Sequence, residues 1–347
     1  MPSDFPDTQT PSRRLVAVVV THNRLDKLRA TLARLLGSDP EHLSMVVVVD
    51  NASTDGTAEW LMAQTDPRLD VLRSETNRGG AGGFERGMRH AVDRHDPDWL
   101  MVTDDDGRPA PGALAAFHAM DVAPWDALAS AVYFPSGEIC EMNRPSRNPF
   151  WHLREFLGTA GKGRDGFHIS HSAYDGDIRP IDVTSFVGFF VSRRAIERVG
   201  YPDGRLFIYG DDGLYTLGLS KAGGRIAFVP QIRFEHDFTT FGGSGLAKGQ
   251  RFRPLWKVYY HHRNLLLLYR MAAGWMFGLT CLVFMPKWLM KVRHHSGERR
   301  AFMRLMGRAI RDGLRGRIDV PHDEVLALAA VSGSEYRDDS AQAEQGP

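Results

Sequence analysis

The sequence predicts an α/β fold, in which a mostly parallel β-sheet is flanked by helices and followed by a helical C-terminal extension. Two observations lead to this prediction. Apolar runs rich in valine recur early in the chain, and segments with helical spacing separate them. The runs are apolar on both faces, which is typical of parallel strands buried between two layers of helices.

Strands and helices alternate regularly in this early part. The predicted strands are Leu15–Val20, Met45–Val49, Leu69–Leu72 and Trp99–Val102, and the predicted helices are Leu25–Leu36, Thr57–Ala63 and a segment ending near Arg94. A polar cluster follows each strand, and ligands of parallel sheets bind beyond the carboxyl ends of the strands. We therefore expect His22, Asp50, Asn77 and Asp104 to gather at one edge of the sheet.

The following part of the chain is less regular. Helices are expected at Pro109–Met120, Arg193–Val199 and Asp211–Leu219, and strands at Ala127–Tyr133, Val183–Val191 and Arg225–Val229. Residues 143–182 combine Gly, Arg, His and aromatic side chains with little periodicity. We interpret residues 143–182 as a long irregular region over the site.

Composition divides the chain into four parts. Residues 1–14 and 332–347 are polar and expected to be disordered, 15–255 form the α/β domain, and 256–331 are helical and basic. The first segment lacks the apolar core of a signal peptide, so export is not expected. The net charge of +1 does not indicate a nucleic-acid partner. Two distant cysteines, Cys140 and Cys281, favour a reducing compartment.

The C-terminal region combines an apolar and a basic segment. Met271–Pro286 contains no charged residue but is short for a membrane span. Residues 287–317 are strongly basic, with apolar side chains near helical spacing. This pattern is typical of a helix that docks on an anionic membrane face, and equally of a solvated helix packed on its own domain.

The three consecutive aspartates Asp104, Asp105 and Asp106 follow a buried strand. Adjacent carboxylates repel each other, and a divalent cation with oxygen ligands relieves that repulsion. In an extended stretch Asp104 and Asp106 point the same way, so these two are predicted to share Mn²⁺ or Mg²⁺. The alternative is a solvent-exposed acidic turn.

A second acidic pair, Asp211 and Asp212, opens a predicted helix. Carboxylates at this position cap the helix, or one of them acts as a general base. His236, in a predicted turn between two acidic residues, is either structural or a further metal ligand. The glycine-rich run Gly79–Gly83 fits neither a dinucleotide fingerprint nor a P-loop.

Taken together, the motifs resemble those of family 2 glycosyltransferases with the GT-A fold. The segments that carry the resemblance are Val18–Arg24, Val48–Gly56, Asn77–Phe84 and Asp104–Gly107, within a match from Leu15 to Phe241. The third and fourth segments are most similar to bacterial galactofuranosyltransferases of cell-wall galactan assembly. Tyr259-Tyr260 and Arg263-Asn264 resemble residues in a similar position of related rhamnosyltransferases.

The resemblance implies a role for each motif. Asp212 is the implied catalytic base, with Asp211 as the second candidate, and His236 joins Asp104 and Asp106 as a metal ligand. The implied nucleotide-sugar site consists of Thr21, Asn23, Arg24, Asp50, Asn77, Arg78, Gly79, Gly80 and Asp105. The family also implies inversion at the anomeric carbon by a single displacement.

The resulting hypothesis is an inverting, metal-dependent glycosyltransferase that works on the cytoplasmic face of the cell membrane. UDP-galactofuranose is the favoured donor, a polyprenyl-diphosphate-linked glycan is the expected acceptor, and dTDP-rhamnose is the alternative donor. A nucleotide-sugar-binding protein without catalysis would lack a metal ligand or the base, whereas all of them are present. A nucleotidyltransferase would need a basic, glycine-rich phosphate loop near its N-terminus, and Thr21–Arg24 is not one.

Overall fold

The structure is a computed structural model that describes residues 13–238 and 251–330. The predicted tail 332–347 lies outside the described residues, as does the predicted leader 1–14 except for Arg13 and Arg14. The end of the motif match, from residue 239 to Phe241, lies outside them as well.

Strands and helices alternate through the described α/β part. The strands are β1 (Leu15–Thr21), β2 (Met45–Asp50), β3 (Leu69–Arg73), β4 (Trp99–Asp104), β5 (Gly107–Pro109), β6 (Ala127–Tyr133), β7 (Arg179–Ile181), β8 (Phe189–Ser192) and β9 (Ile226–His236). The helices of this part are α1 (Leu25–Leu36), α2 (Thr57–Met62), α3 (Gly79–His95), α4 (Ala113–Ala119), α5 (Leu153–Lys162), α6 (Arg193–Val199) and α7 (Asp211–Lys221). Four further helices follow the gap: α8 (Lys257–Ala273), α9 (Phe277–Leu289), α10 (Arg299–Arg315) and α11 (His322–Ala329).

All nine strands described above form one mixed sheet, with the order β3-β2-β1-β4-β8-β6-β9-β5 and with β7 paired to β9. The strands β3, β2, β1 and β4 pair in parallel with one another, whereas β8 pairs antiparallel with both β4 and β6. Two apolar cores cover the two faces of the sheet. The predicted α/β fold with a mostly parallel sheet, flanking helices and a helical C-terminal extension is confirmed.

The glycine-rich run forms the first turns of α3 rather than a turn before it. A Cβ atom on Gly83 would lie 2.4 Å from Val20 Cγ1, and one on Gly87 would lie 2.6 Å from Val18 Cγ1. Contacts this short do not occur between real side chains, so these glycines let the α3 backbone approach β1. The run therefore serves helix–strand packing, in addition to any role at a ligand.

Several predicted boundaries were wrong. Pro109 ends β5, which pairs with β9, so α4 begins only at Ala113. The predicted strand Val183–Val191 is shortened because Gly188 adopts a positive φ of 63° immediately before β8. Strand β9 continues to His236, since its second half pairs with β5 and β6. His236 thus ends a strand and is not in a turn.

The region interpreted as irregular contains the helix α5 and the short strand β7. Helix α5 buries none of its residues. Leu153 and Leu157 on α5 are 74% and 62% exposed. The apolar face of α5 is therefore uncovered within the described residues.

The C-terminal helices α8 and α10 pack against each other around a third apolar core. Helix α9 packs on this core through the buried Trp288 and several partly buried side chains. On its outer side Leu282 is 74% exposed, and Trp275, just before α9, is 93% exposed. Among residues 13–238 and 251–330, the stretch Lys257–His294 alone is long and apolar enough to cross a membrane. Length and composition are weak evidence for a span, because the core helix of a soluble protein passes the same test.

Candidate functional site

The carboxyl ends of β1, β2 and β4 meet at one edge of the sheet. Parallel pairing sets Thr21 opposite Asp50, and Val20 opposite Asp104. His22 Nδ1 lies 2.8 Å from the carbonyl oxygen of Asn51, and Asn51 Nδ2 donates to Asn77 Oδ1 at 3.0 Å. The structure thus brings together the polar clusters that follow the first four strands.

Asp104, Asp106 and His236 each offer one ligand atom, and these atoms all lie within 4.8 Å of one another. Asp104 ends β4, and the pairing of Gly107 with His236 carries β9 to the same point. His236 Nε2 lies 3.2 Å from Asp106 Oδ1, and this carboxylate oxygen is buried without a hydrogen-bond partner. Two carboxylates and an imidazole suit Mn²⁺ well, because it accepts oxygen and nitrogen ligands.

Asp105 faces a different set of partners. It accepts a hydrogen bond from the Thr21 hydroxyl at 2.8 Å, and its other oxygen lies 2.8 Å from Arg24 Nη1. Arg24 also contacts Asp106 at 2.5 Å. Asp105 and Asp106 form the turn between β4 and β5, so the extended stretch assumed in the prediction ends at Asp104. Arg24 bridges the two carboxylates and compensates part of their charge.

Asn143 orients the imidazole of His236. Its Oδ1 lies 2.8 Å from His236 Nδ1, while its Nδ2 donates to Ser185 Oγ at 2.9 Å. An amide oxygen accepts only, so Nδ1 carries the hydrogen and Nε2 faces Asp106. Metal-binding histidines are commonly held in this way by a hydrogen bond to the second ring nitrogen. Sequence reasoning missed Asn143, because it opens the region that matched no motif.

Burial and mutual repulsion perturb the acidic groups. Burial, together with the charge of Asp106, raises the pKa of Asp104 to about 6. Burial raises the pKa of Asp105 to about 7, although Arg24 acts against it. Asp106 is also buried, but its close contact with His236 and the charges of His236 and Arg24 lower its pKa. Such perturbed carboxylates are typical of functional sites.

The residues of the predicted nucleotide site line the same edge. Asp50 is fully buried; its Oδ1 accepts from the Ser53 amide at 2.9 Å, while Oδ2 has no hydrogen-bond partner. Asn77 Oδ1 caps the start of α3 by accepting from the Gly79 amide at 2.8 Å. Asp50 thus offers an acceptor to a ligand.

The other residues of that predicted site differ in how they are held. Asn23 adopts a positive φ of 53°, and its side chain accepts from the Thr54 amide at 2.7 Å. Arg78 is exposed at the first turn of α3, and its backbone amide donates to Asn51. Gly80 has room for a side chain, whereas a Cβ on Gly79 would lie 2.0 Å from the Phe207 carbonyl oxygen. Gly79 is therefore required for packing.

Asp211 and Asp212 form the first turn of α7. The Gly213 amide donates to Asp212 Oδ1 at 2.6 Å. Burial raises the pKa of Asp212 to about 6, and burial with the charge of Asp212 raises that of Asp211. The charge of Asp212 also raises the pKa of Asp104, so the first turn of α7 lies close enough to act on Asp104 electrostatically.

A second group of metal-ligating type lies apart from this edge. Asp70, the second residue of β3, accepts hydrogen bonds from His90 and His95 of α3 at 2.8 and 2.7 Å. One carboxylate oxygen satisfies both imidazoles. The three side chains therefore satisfy one another and link β3 to α3.

This sheet, with Asp104, Asp106 and His236 at the carboxyl ends of its strands, is characteristic of the GT-A class of nucleotide-sugar transferase folds. A mannosyltransferase from Pyrobaculum calidifontis, solved in complex with GDP-Man and Mn²⁺, has this fold as well. It superposes with a TM-score of 0.51 at 18% identity, over 95% of this chain and 90% of its own. An identity this low shows the fold alone.

Residues 16–178 match the family model described as glycosyl transferase family 2. The chain is 33% identical over 205 residues to galactofuranosyltransferase GlfT1 of Mycolicibacterium smegmatis, covering 58% of this chain and 64% of that relative. It is 28% identical over 244 residues to N-acetylglucosaminyl-diphospho-decaprenol L-rhamnosyltransferase of Mycobacterium tuberculosis, covering 64% and 75%. Residues 16–178 thus match family 2 glycosyltransferases, and the resemblance to galactofuranosyltransferases is confirmed. The match spans less than two thirds of the first relative's length.

The hydrogen bond from His236 to Asn143 leads to a prediction about metal binding. Replacing Asn143 with Leu removes the acceptor, so the imidazole is free to rotate and the affinity for Mn²⁺ should fall about 10- to 100-fold. Asn143→Asp keeps an acceptor at the same place and should retain most of the affinity. Titration calorimetry with Mn²⁺ measures both variants. Equal loss in the two variants would show that Asn143 acts through packing rather than through His236.

Proposed function

We propose that this protein is an inverting glycosyltransferase that transfers galactofuranose from UDP-galactofuranose to a lipid-linked glycan of the cell envelope. The observation that carries the proposal is the convergence of Asp104, Asp106 and His236 with the acidic pair Asp211-Asp212 at the carboxyl edge of the sheet. Similarity to a galactofuranosyltransferase supports the choice of sugar. Similarity to a rhamnosyltransferase keeps dTDP-rhamnose as the second candidate donor.

In this proposal the donor nucleotide lies along the ends of β1 and β2. Asp50 Oδ2 accepts a hydrogen bond from the nucleoside, and the exposed guanidinium of Arg78 contacts the phosphates or the base. Asp104, Asp106 and His236 would hold Mn²⁺ or Mg²⁺. Such a cation would offset the charge that develops on the leaving diphosphate. Arg24, beside Asp106, adds a second positive charge there.

Asp212 is proposed as the general base. Its Oδ1 is occupied by the Gly213 amide, which leaves Oδ2 to accept the proton of an acceptor hydroxyl. The acceptor oxygen forms a bond to the anomeric carbon while the bond from that carbon to the diphosphate oxygen breaks. One displacement of this kind inverts the anomeric centre. A pKa near 6 keeps Asp212 largely ionised at neutral pH and still basic enough to take the proton.

A lipid-linked acceptor requires contact with a membrane, and the protein exposes a suitable surface. Four large apolar side chains are more than half exposed: Leu153 and Leu157 on α5, Trp275 just before α9, and Leu282 on α9. Asn148, just before α5, donates to the Ala272 carbonyl at the end of α8, so both apolar segments belong to one region. We call these four side chains the apolar patch.

Basic residues accompany the apolar patch. Lys287, Arg293, Arg299 and Arg300 are exposed on and after α9. Exposed apolar side chains beside cationic ones are typical of proteins that lie on an anionic bilayer. We therefore propose a peripheral location on the inner face of the cell membrane, with the apolar patch inserted into the interface.

The first experiment is calorimetric titration of UDP and dTDP into the full chain, with and without Mn²⁺. We expect binding that depends on Mn²⁺ and favours UDP, because the triad needs the cation to hold a diphosphate. Asp106→Ala should weaken only the metal-dependent part. A preference for dTDP would move the donor to rhamnose. Metal-independent binding, or none, would contradict the assignment of Asp104, Asp106 and His236.

Asp212→Asn should lower kcat by about two to four orders of magnitude, because the proton acceptor is lost. Affinity for UDP with Mn²⁺ should change little, since Asp212 is not a ligand in this proposal. The rate of transfer is measured as the rate at which UDP is released from the sugar nucleotide. Asp211→Asn is the matched control, and a larger loss there would exchange the roles of the two residues.

The pH dependence of transfer follows from the raised pKa of Asp212, about 6. The base must be ionised, so kcat/KM should fall about tenfold per pH unit below pH 6 and level off above it. UDP affinity with Mn²⁺ is measured over the same range, because Asp104 titrates there as well. If the loss of UDP affinity accounts for the whole fall in kcat/KM below pH 6, that fall does not reflect protonation of Asp212.

The double variant Trp275→Ser, Leu282→Ser should bind vesicles containing phosphatidylglycerol at least about tenfold more weakly, because two apolar side chains no longer enter the interface. Met62→Ser is the matched control, since Met62 on α2 is 72% exposed and lies outside the apolar patch. Vesicle sedimentation measures both. Equal binding of the double variant and the control would exclude the apolar patch as the docking surface.

A further inference from the structure

The segment Leu206–Gly210, which we call the base loop, leads directly into Asp211 and Asp212. Phe207 and Tyr209 each adopt a φ of 68°, and Gly210 one of 75°. For residues other than glycine this conformation is strained. The loop therefore needs support from outside its own sequence.

That support comes from Asn264 and Arg263 on α8. Asn264 Nδ2 lies within hydrogen-bonding distance of three carbonyl oxygens of the loop, those of Leu206 at 3.1 Å, Ile208 at 3.0 Å and Tyr209 at 2.7 Å. Arg263 Nη2 donates to the Leu206 carbonyl at 2.8 Å, and Arg263 Nε donates to Asn264 Oδ1 at 2.7 Å. The pair thus holds most carbonyls of the loop.

Arg263 is an unusual residue for this task, because its side chain is fully buried. It forms no ion pair within 4.0 Å among residues 13–238 and 251–330; its guanidinium lies 5.2 and 5.1 Å from the rings of Tyr259 and Tyr260. Burying a cation without a counter-ion is costly, and carbonyl oxygens and aromatic faces compensate only part of the cost. A purely packing role would be filled more favourably by an apolar side chain.

The opposite side of the base loop contacts the start of α3. The Phe207 carbonyl accepts from the Ala81 amide at 3.1 Å, and only glycine fits at position 79 beside it. One loop is therefore tied both to the Arg78-Gly79 end of α3 and, through Asn264, to α8. Its position sets the distance between the donor site and Asp212.

We propose that Arg263 and Asn264 are positioning residues, which hold the base loop so that Asp212 faces the donor site. This proposal rests on the proposed function, in which Asp212 is the base. Neither residue contacts Asp212 directly in the structure. Their effect passes through the backbone of Leu206–Gly210 into the first turn of α7.

Asn264→Asp tests the proposal, because it keeps the size of the side chain but replaces the donor with an acceptor that faces three carbonyls. We expect kcat to fall at least about 100-fold, as misplacement of a catalytic group by about 1 Å does. KM for the donor and affinity for UDP with Mn²⁺ should stay within a few-fold. The pH at which kcat/KM is half-maximal should shift. Asn264→His, which restores a ring N–H donor, should recover part of kcat.

Leu266→Ala is the matched control. Leu266 is fully buried in the same helix and packs in the C-terminal core. It should lower the urea midpoint of unfolding yet leave kcat of the folded protein nearly unchanged. If Asn264→Asp loses kcat only as far as Leu266→Ala does, or loses UDP affinity to the same extent as kcat, the positioning role is overturned.

Amide hydrogen exchange separates this proposal from the proposed function. In Asn264→Asp the amides of residues 206–212 should exchange faster, while those of β1 and β4 stay protected; in Leu266→Ala they should not change selectively. Unchanged protection of 206–212 overturns the role of Asn264 whatever the activity. If the wild-type protein transfers neither galactofuranose nor rhamnose while Asn264→Asp still loses protection selectively at residues 206–212, that result would support the contact between Asn264 and the base loop. It would overturn only the proposed function.

Discussion

Repulsion between buried carboxylates is the constraint on which the rest of the site depends. Asp105 and Asp106 are almost fully buried, and the charge of Asp104 also acts on the buried Asp211. A folded protein tolerates such a group only if cations, hydrogen-bond donors or protonation compensate the charge. Arg24, His236 and the amides at the start of α7 supply part of that compensation. A divalent cation would supply the remainder and would also bind a diphosphate.

The supporting residues come from parts of the chain that carry no recognisable motif. Asn143 fixes the imidazole of His236, and Asn264 fixes the loop before Asp212. Both are amides, which can donate and accept at once and therefore link a charged group to neutral backbone or hydroxyl partners. The acidic residues supply the reactive groups, and these two amides fix the orientation of His236 and of the loop before Asp212.

The C-terminal helices connect the site with the apolar patch. Helix α8 carries the pair that holds the base loop on its buried side, and α9 exposes apolar side chains on the outside. Docking at the apolar patch and positioning of Asp212 therefore involve one continuous helical region.

The sequence by itself determined the fold class and predicted the acidic residues at the strand ends, because apolar strand runs and the polar clusters after them are local patterns. It could not show that β9 extends to His236, that Asn143 meets His236, or that Arg263 and Asn264 reach the base loop. Asn143 and His236 are 93 residues apart, and Asn264 and Tyr209 are 55 apart. No local pattern encodes such pairs, since each depends on how the strands register and on where α8 packs. The sequence therefore determined the chemistry available, and the tertiary structure decided its geometry.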